Sequence, residues 1–171
     1  PVRLLTLFTA CVLCWSLVGG AGYRLGPSSG QAAGEKSIQV NPFKNETPEP
    51  RLIEPVVSAL RKQLQQDGTY RLATRGDADI LVTGTLIRYE REGVSFQPND
   101  ILTARDFNVR LVAKITAAER HSGKTLLDRE VTGRTSLRPG LDFASAERQA
   151  AALLAEDLAK NITSLLVDGS W

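Results

Sequence analysis

Residues 107–118 alternate without a break. Phe107, Val109, Leu111, Ala113, Ile115 and Ala117 share one parity, and Asn108, Arg110, Val112, Lys114, Thr116 and Ala118 the other. A period of two with one apolar side is a strand with one face on a core and the other toward water. At about 3.3 Å per residue it reaches roughly 40 Å, beyond the usual five or six residues. His121-Ser122-Gly123-Lys124 then turns the chain into a second alternating run over 125–136, so the two form a hairpin. A third run over 79–90 places Ile80, Val82, Gly84 and Leu86 on one face and Leu81, Thr83, Thr85, Ile87 and Tyr89 on the other. The stretch between it and the hairpin, 93–106, reads as a long loop.

Such a sheet needs a cover for its apolar side, and two segments supply helical spacing. Ile53, Val56, Val57, Leu60 and Leu64 lie on one face of a helix expected over 48–67. Thr47 is its candidate cap, Pro48 suits the first turn, Glu49 complements the dipole and Gly68 stops it. A second helix is expected over 142–168, capped by Asp142 or Ser145. Ala151, Leu154, Leu158, Ile162 and Leu165 form its face, with Leu153, Leu166 and Val167 beside it. Short strands are expected at 37–43, where Pro42 belongs at an edge or end, and at 70–73. The economical solution is α+β: two helices packed on one face of a mostly antiparallel four-to-five-stranded sheet with a long β-hairpin.

The first 21 residues have a different character. Arg3 precedes an apolar run over 4–18, Gly19-Gly20-Ala21 follow, and no acidic residue occurs before Glu35. This is the layout of a secretory signal, and the run is short of the roughly 20 residues that span a bilayer. Residues 1–21 are therefore read as a signal peptide and 22–171 as a single α+β domain. Both cysteines, Cys11 and Cys14, fall inside the apolar run. Phe8-Thr9-Ala10-Cys11 loosely matches a lipobox, which makes Cys11 a candidate for lipidation. Ordinary cleavage after Ala21, with Gly19 and Ala21 as the small residues, is the simpler reading.

Catalytic chemistry finds few materials. His121 is the only histidine and sits in a turn, so zinc ligation and Cys/His catalysis are excluded for the exported part, and a Ser-His-Asp arrangement is disfavoured. Asp77 and Asp79 superficially match the start of a calcium loop, but Ile80-Leu81-Val82 follows where further ligands belong. No phosphate loop is present. The expectation is a protein that is not an enzyme and has no cofactor and no metal. With 21 Lys and Arg against 19 Asp and Glu the chain is nearly neutral, so a nucleic-acid partner is not expected. What remains is a set of basic residues on the long strands and their turns: Arg88, Arg91, Arg110, Lys114, Arg120, Lys124, Arg129 and Arg134. Arginine forks suit phosphate. The competing reading is a solvated face paired with Glu90, Glu92, Asp106, Glu119, Asp128 and Glu130, and counts favour it.

Gly22-Tyr23-Arg24-Leu25-Gly26 directly after a signal resembles the opening of the lipopolysaccharide-assembly lipoprotein family, LptE. The strand through Ile38 to Phe43, the run Asn45-Glu46-Thr47 with Glu49-Pro50 ahead of a helix, Ala78-Asp79-Ile80-Leu81-Val82-Thr83-Gly84 and a closing helix resemble it in the same order. The family's usual cysteine before Gly-Tyr is replaced here by Ala21. The resemblance implies two helices on a four-stranded sheet. It also implies a non-catalytic component of the lipopolysaccharide translocon, on the periplasmic side of the cell outer membrane at its inner leaflet. There it would plug and help assemble an LptD-type β-barrel and contact lipopolysaccharide through lipid A phosphates. Arg91 best matches the family's lipid-contacting basic residues. Arg129 and Arg134 are looser candidates, and Arg88 joins them by proximity to Arg91. The alternative is another outer-membrane module that activates a peptidoglycan synthase or builds a secretion pore.

Overall fold

The computed structural model describes residues 33–74, 76–97, 100–138 and 142–168. The expected signal over 1–21, the lipidation candidate Cys11 and the 22–26 opening lie outside them. The described chain runs β1 (Ser37–Val40), β2 (Lys44–Asn45), a 3-10 turn (Pro50–Leu52), α1 (Ile53–Asp67), β3 (Arg71–Leu72), β4 (Ile80–Gln97), β5 (Asp100–Glu119), β6 (Thr125–Leu137) and α2 (Phe143–Val167).

The three long strands form an antiparallel meander, and the short strands add to its other side in parallel. The order is β3-β1-β4-β5-β6, with β2 also on β4. The α+β expectation of two helices over a mostly antiparallel sheet describes this architecture. Both helices lie on one face. Val56, Val57, Leu60 and Leu64 of α1, and Leu154, Leu158, Ile162 and Leu166 of α2, bury against Val82, Leu86, Leu111, Ile115, Leu127 and Val131. Each such side chain removed from water contributes about 1.5–3 kcal/mol, so the core rests on this single interface. Leu166 rather than Leu165 is the deep residue at the end of α2, and Leu153, expected beside the apolar face, is 47% exposed.

Three local expectations are corrected. The first helix does not begin at Pro48. Glu49 precedes a proline and is extended, and a 3-10 turn leads into α1 only at Ile53. The Asn45 side chain holds this entry, accepting from the Thr47 amide and hydroxyl and donating to the Glu49 carbonyl. Gly68 does end the helix, at φ 74 with its N–H on the Leu64 carbonyl.

The loop expected over 93–106 is mostly strand. β4 continues to Gln97 and β5 starts at Asp100, paired through Ser95↔Asp106 and Phe96↔Ala104 with irregular register. Each strand supplies the other's backbone partners, which outweighs the weak alternation of this stretch. β6 ends at Leu137, opposite Phe107, so the ribbon extends past the three-stranded body.

The third correction is a bulge at Ile87. Leu86 pairs with Ala113, but the next pair is Arg88 with Val112. One extra residue on one strand reverses the parity of everything after it. Tyr89, expected opposite Leu86, therefore turns to the helix side and packs on the core.

Candidate functional site

The bulge decides which face each arginine of β4 takes. Arg91 pairs with buried Val109, so it joins the helix side at the end of the core. Its Nη1 lies 3.8 Å from Glu147 Oε1 of α2, and its guanidinium carbon lies 6.0 Å from the Phe107 ring centroid. With the side chains 30% and 42% exposed, the ion pair is worth about 0–1 kcal/mol. The ring contact adds about 0.5–1 kcal/mol. These contacts aim the guanidinium without sealing it from solvent.

Arg88 and Arg134 occupy the opposite face. Glu90, Arg110 and Arg134 form one rung across β4, β5 and β6. Glu90 serves two arginines, with Arg88 Nε at 3.9 Å and Arg110 Nη1 at 3.7 Å. Arg110 and Arg134 stand directly opposite each other, a placement that costs stability for like charges. With Glu92 and Asn108 they line a concavity of about 360 Å³. The Arg134 backbone N–H is held from the helix side by Asp157 Oδ2 at 2.8 Å.

Arg129 is not brought to either group. It pairs with Ile115, five residues along β6 from Arg134, or roughly 17 Å at the strand rise. The four candidates thus divide: Arg88 and Arg134 on the outer face, Arg91 one rung away on the helix face, Arg129 apart. Arg110, one of the basic residues of the long strands but not among the four lipid-contact candidates, is brought beside Arg134 and Glu90 by the strand register. Glu147 carried no local signal, because 56 positions separate it from Arg91.

Beside Arg91 a groove of about 430 Å³ opens between the start of α1, the start of α2 and Tyr89. Leu52, Pro50, Pro55, Tyr89, Ala144 and Ala151 make its apolar wall, and Glu49, Arg51, Glu147 and Arg148 carry the charge. Burial pushes the Tyr89 phenol above its ordinary value, and the Arg91 charge partly offsets it.

Asp79 has a structural task. Asp79 Oδ2 accepts from the Ser37 backbone N–H at 2.8 Å and from its hydroxyl at 2.7 Å, and these bonds hold the carboxyl below the usual aspartate value. These bonds join the start of β4 to β1. His121 is exposed in the β5–β6 turn. Among the described residues no group of three His, Cys, Asp or Glu could hold a metal ion, and no helix is long and apolar enough to cross a membrane. The site offers charge-assisted hydrogen bonds beside an apolar groove, which suits recognition of an amphiphilic anion.

Comparison with known proteins agrees with this architecture. The sequence model of the family described as LptE, lipopolysaccharide-assembly, matches residues 35–167. No curated protein matches. Among solved structures, a minor lipoprotein from Acinetobacter baumannii is 18% identical, with TM-score 0.51, covering 77% of this chain and 92% of its own. A protein from Xanthomonas campestris is 9% identical, with TM-score 0.56, covering 77% and 85%. A protein from Caulobacter crescentus CB15 is 13% identical, with TM-score 0.51, covering 75% and 88%. At these identities the structures share the fold.

Proposed function

Because the chain belongs to the lipopolysaccharide-assembly family LptE, we propose that it acts as a non-catalytic subunit of the lipopolysaccharide translocon. It plugs and helps assemble an LptD-type β-barrel from the periplasmic side of the outer membrane, and it touches lipopolysaccharide in transit. The family match carries this reading, and the placement of Arg91 supports it. An arginine fork that meets the Phe107 ring and the Glu147 carboxylate, and is still 30% exposed, is suited to a phosphate of lipid A. Glu147 is then the internal stand-in that a phosphate displaces. Arg88, Arg110 and Arg134 form a second basic group on the outer face, where Glu90 pairs with Arg88 and Arg110.

Two measurements test the reading. Arg91→Asp places a carboxylate beside Glu147 and is expected to weaken lipopolysaccharide binding without unfolding the domain. Equal affinity of the variant returns Arg91 to a solvated surface pair. Tagged protein drawn from native membranes is expected to bring a large β-barrel protein with it. Its absence, together with binding to a murein synthase but not to lipopolysaccharide, selects the peptidoglycan-synthase activator instead.

A further inference from the structure

We propose that the groove between the start of α1, the start of α2 and Tyr89 takes an acyl chain of the glycolipid whose phosphate reaches Arg91, an inference that rests on the lipopolysaccharide reading above. Glu147 links the two places: its carboxylate pairs with Arg91 at 3.8 Å and also lines the groove. A ligand that displaces Glu147 from Arg91 therefore has its next atoms at the mouth of an apolar channel. At about 430 Å³ the channel lies within the range of small-molecule sites.

The wall chemistry selects the occupant. Pro50 and Pro55 have no N–H, so this side of the groove presents ring methylenes where other residues present donors. Ala144 and Ala151, two turns apart on α2, leave unfilled the space that larger side chains would occupy. An inserted peptide has amides that need partners, and this wall supplies few. A hydrocarbon chain needs none. At the rim, Arg51, Arg91 and Arg148 outnumber Glu49 and Glu147, which favours an anionic headgroup over a neutral or cationic one. Half-buried Tyr89 adds a ring face to the apolar wall and a hydroxyl that can meet a polar atom of the ligand.

The test uses the full chain with three probes: purified lipopolysaccharide, the same lipopolysaccharide chemically deacylated, and a dansyl-labelled fatty acid. Ala151→Trp fills the groove, and Ala144→Leu, at an exposed position, fills its mouth with less risk to folding. Both are expected to weaken intact lipopolysaccharide by at least about tenfold, the loss when two or more methylene groups leave the groove. Both are also expected to abolish the dansyl signal and to leave the deacylated form bound as in the parent. Arg91→Asp is expected to weaken intact and deacylated forms alike. If both groove variants bind intact lipopolysaccharide like the parent while Arg91→Asp weakens it, the groove proposal is overturned and the phosphate reading stands. If the parent binds neither form, both fall. Loss of a barrel partner from the groove variants with lipid binding intact assigns the groove to protein and overturns the proposal.

Discussion

Gly133 lies directly against Leu158. A methyl group in place of its hydrogen would stand 2.7 Å from Leu158 Cβ and 2.8 Å from the Leu154 carbonyl oxygen. On either side of this contact α2 bonds to the exposed edge of β6: Asn161 Nδ2 donates to the Thr132 carbonyl at 2.9 Å, and Asp157 accepts from the Arg134 N–H. The helix backbone thus presses onto the edge strand and occupies groups that would otherwise recruit another strand. Gly133→Ala must push the helix away, and overpacking of this kind costs about 1–3 kcal/mol. Urea unfolding is expected to show the lower midpoint with an unchanged slope. A variant as stable as the parent would mean that α2 rides loosely on β6.

Phe43 and Gly84 form a second close pair. A Cβ at 84 would fall 2.4 Å from the Phe43 ring, which is itself buried in the core. Gly84→Ala and Phe43→Ala are each expected to destabilise, the latter by about 3–5 kcal/mol. Combined, they should cost less than their sum, with a coupling of about 0.5–3 kcal/mol. Simple additivity in a double-mutant cycle would contradict direct contact.

Tyr70 donates its hydroxyl to the Leu166 carbonyl at 2.9 Å in a buried bond that ties the approach to β3 to the last turn of α2. A carbonyl there has no intrahelical donor. Tyr70→Phe leaves it unsatisfied at a cost of about 1–3 kcal/mol. Faster hydrogen exchange confined to the end of α2 and to β3 is the expected signature, and uniform exchange throughout would locate the loss elsewhere.

Asp79 is expected to add a pH-dependent contribution to stability where β1 meets β4. Its folded pKa is depressed by the two Ser37 hydrogen bonds, so its contribution is present above the ordinary aspartate value and is lost as pH falls through the lower folded value. Asp79→Asn keeps an acceptor in place and removes the charge. Melting temperatures of parent and variant are expected to differ most near neutral pH and to converge on acidification. A gap that stays constant with pH excludes the carboxylate as its source.

On the proposed phosphate reading, Glu147 would compete with the ligand for Arg91. Glu147→Gln removes a partly exposed ion pair, so its effect on folding is expected to stay within about 1 kcal/mol. Lipopolysaccharide affinity is expected to rise by about twofold to fivefold, the size of effect that a surface pair of this strength can release. Unchanged or weaker binding argues against displacement.

The sequence by itself determined the α+β class, the two helices, the β5–β6 hairpin, most of the core and the order of short motifs that carries the family resemblance. Those features are written in local periodicity and in residues such as Gly68 and Asp142, whose effect reaches only a turn away. Three outcomes belonged to tertiary structure alone. Partner strands drew residues 93–97 and 100–106 into the sheet, because backbone pairing there outweighs composition. One extra residue at Ile87 reversed the parity of β4, so that Tyr89 and Arg91 face the helices while Arg88 and Glu90 face away. Arg91 gained Glu147 from a segment 56 positions distant. A bulge has no composition of its own. Its position follows from the register against β5, and that register fixes which arginine stands beside the groove.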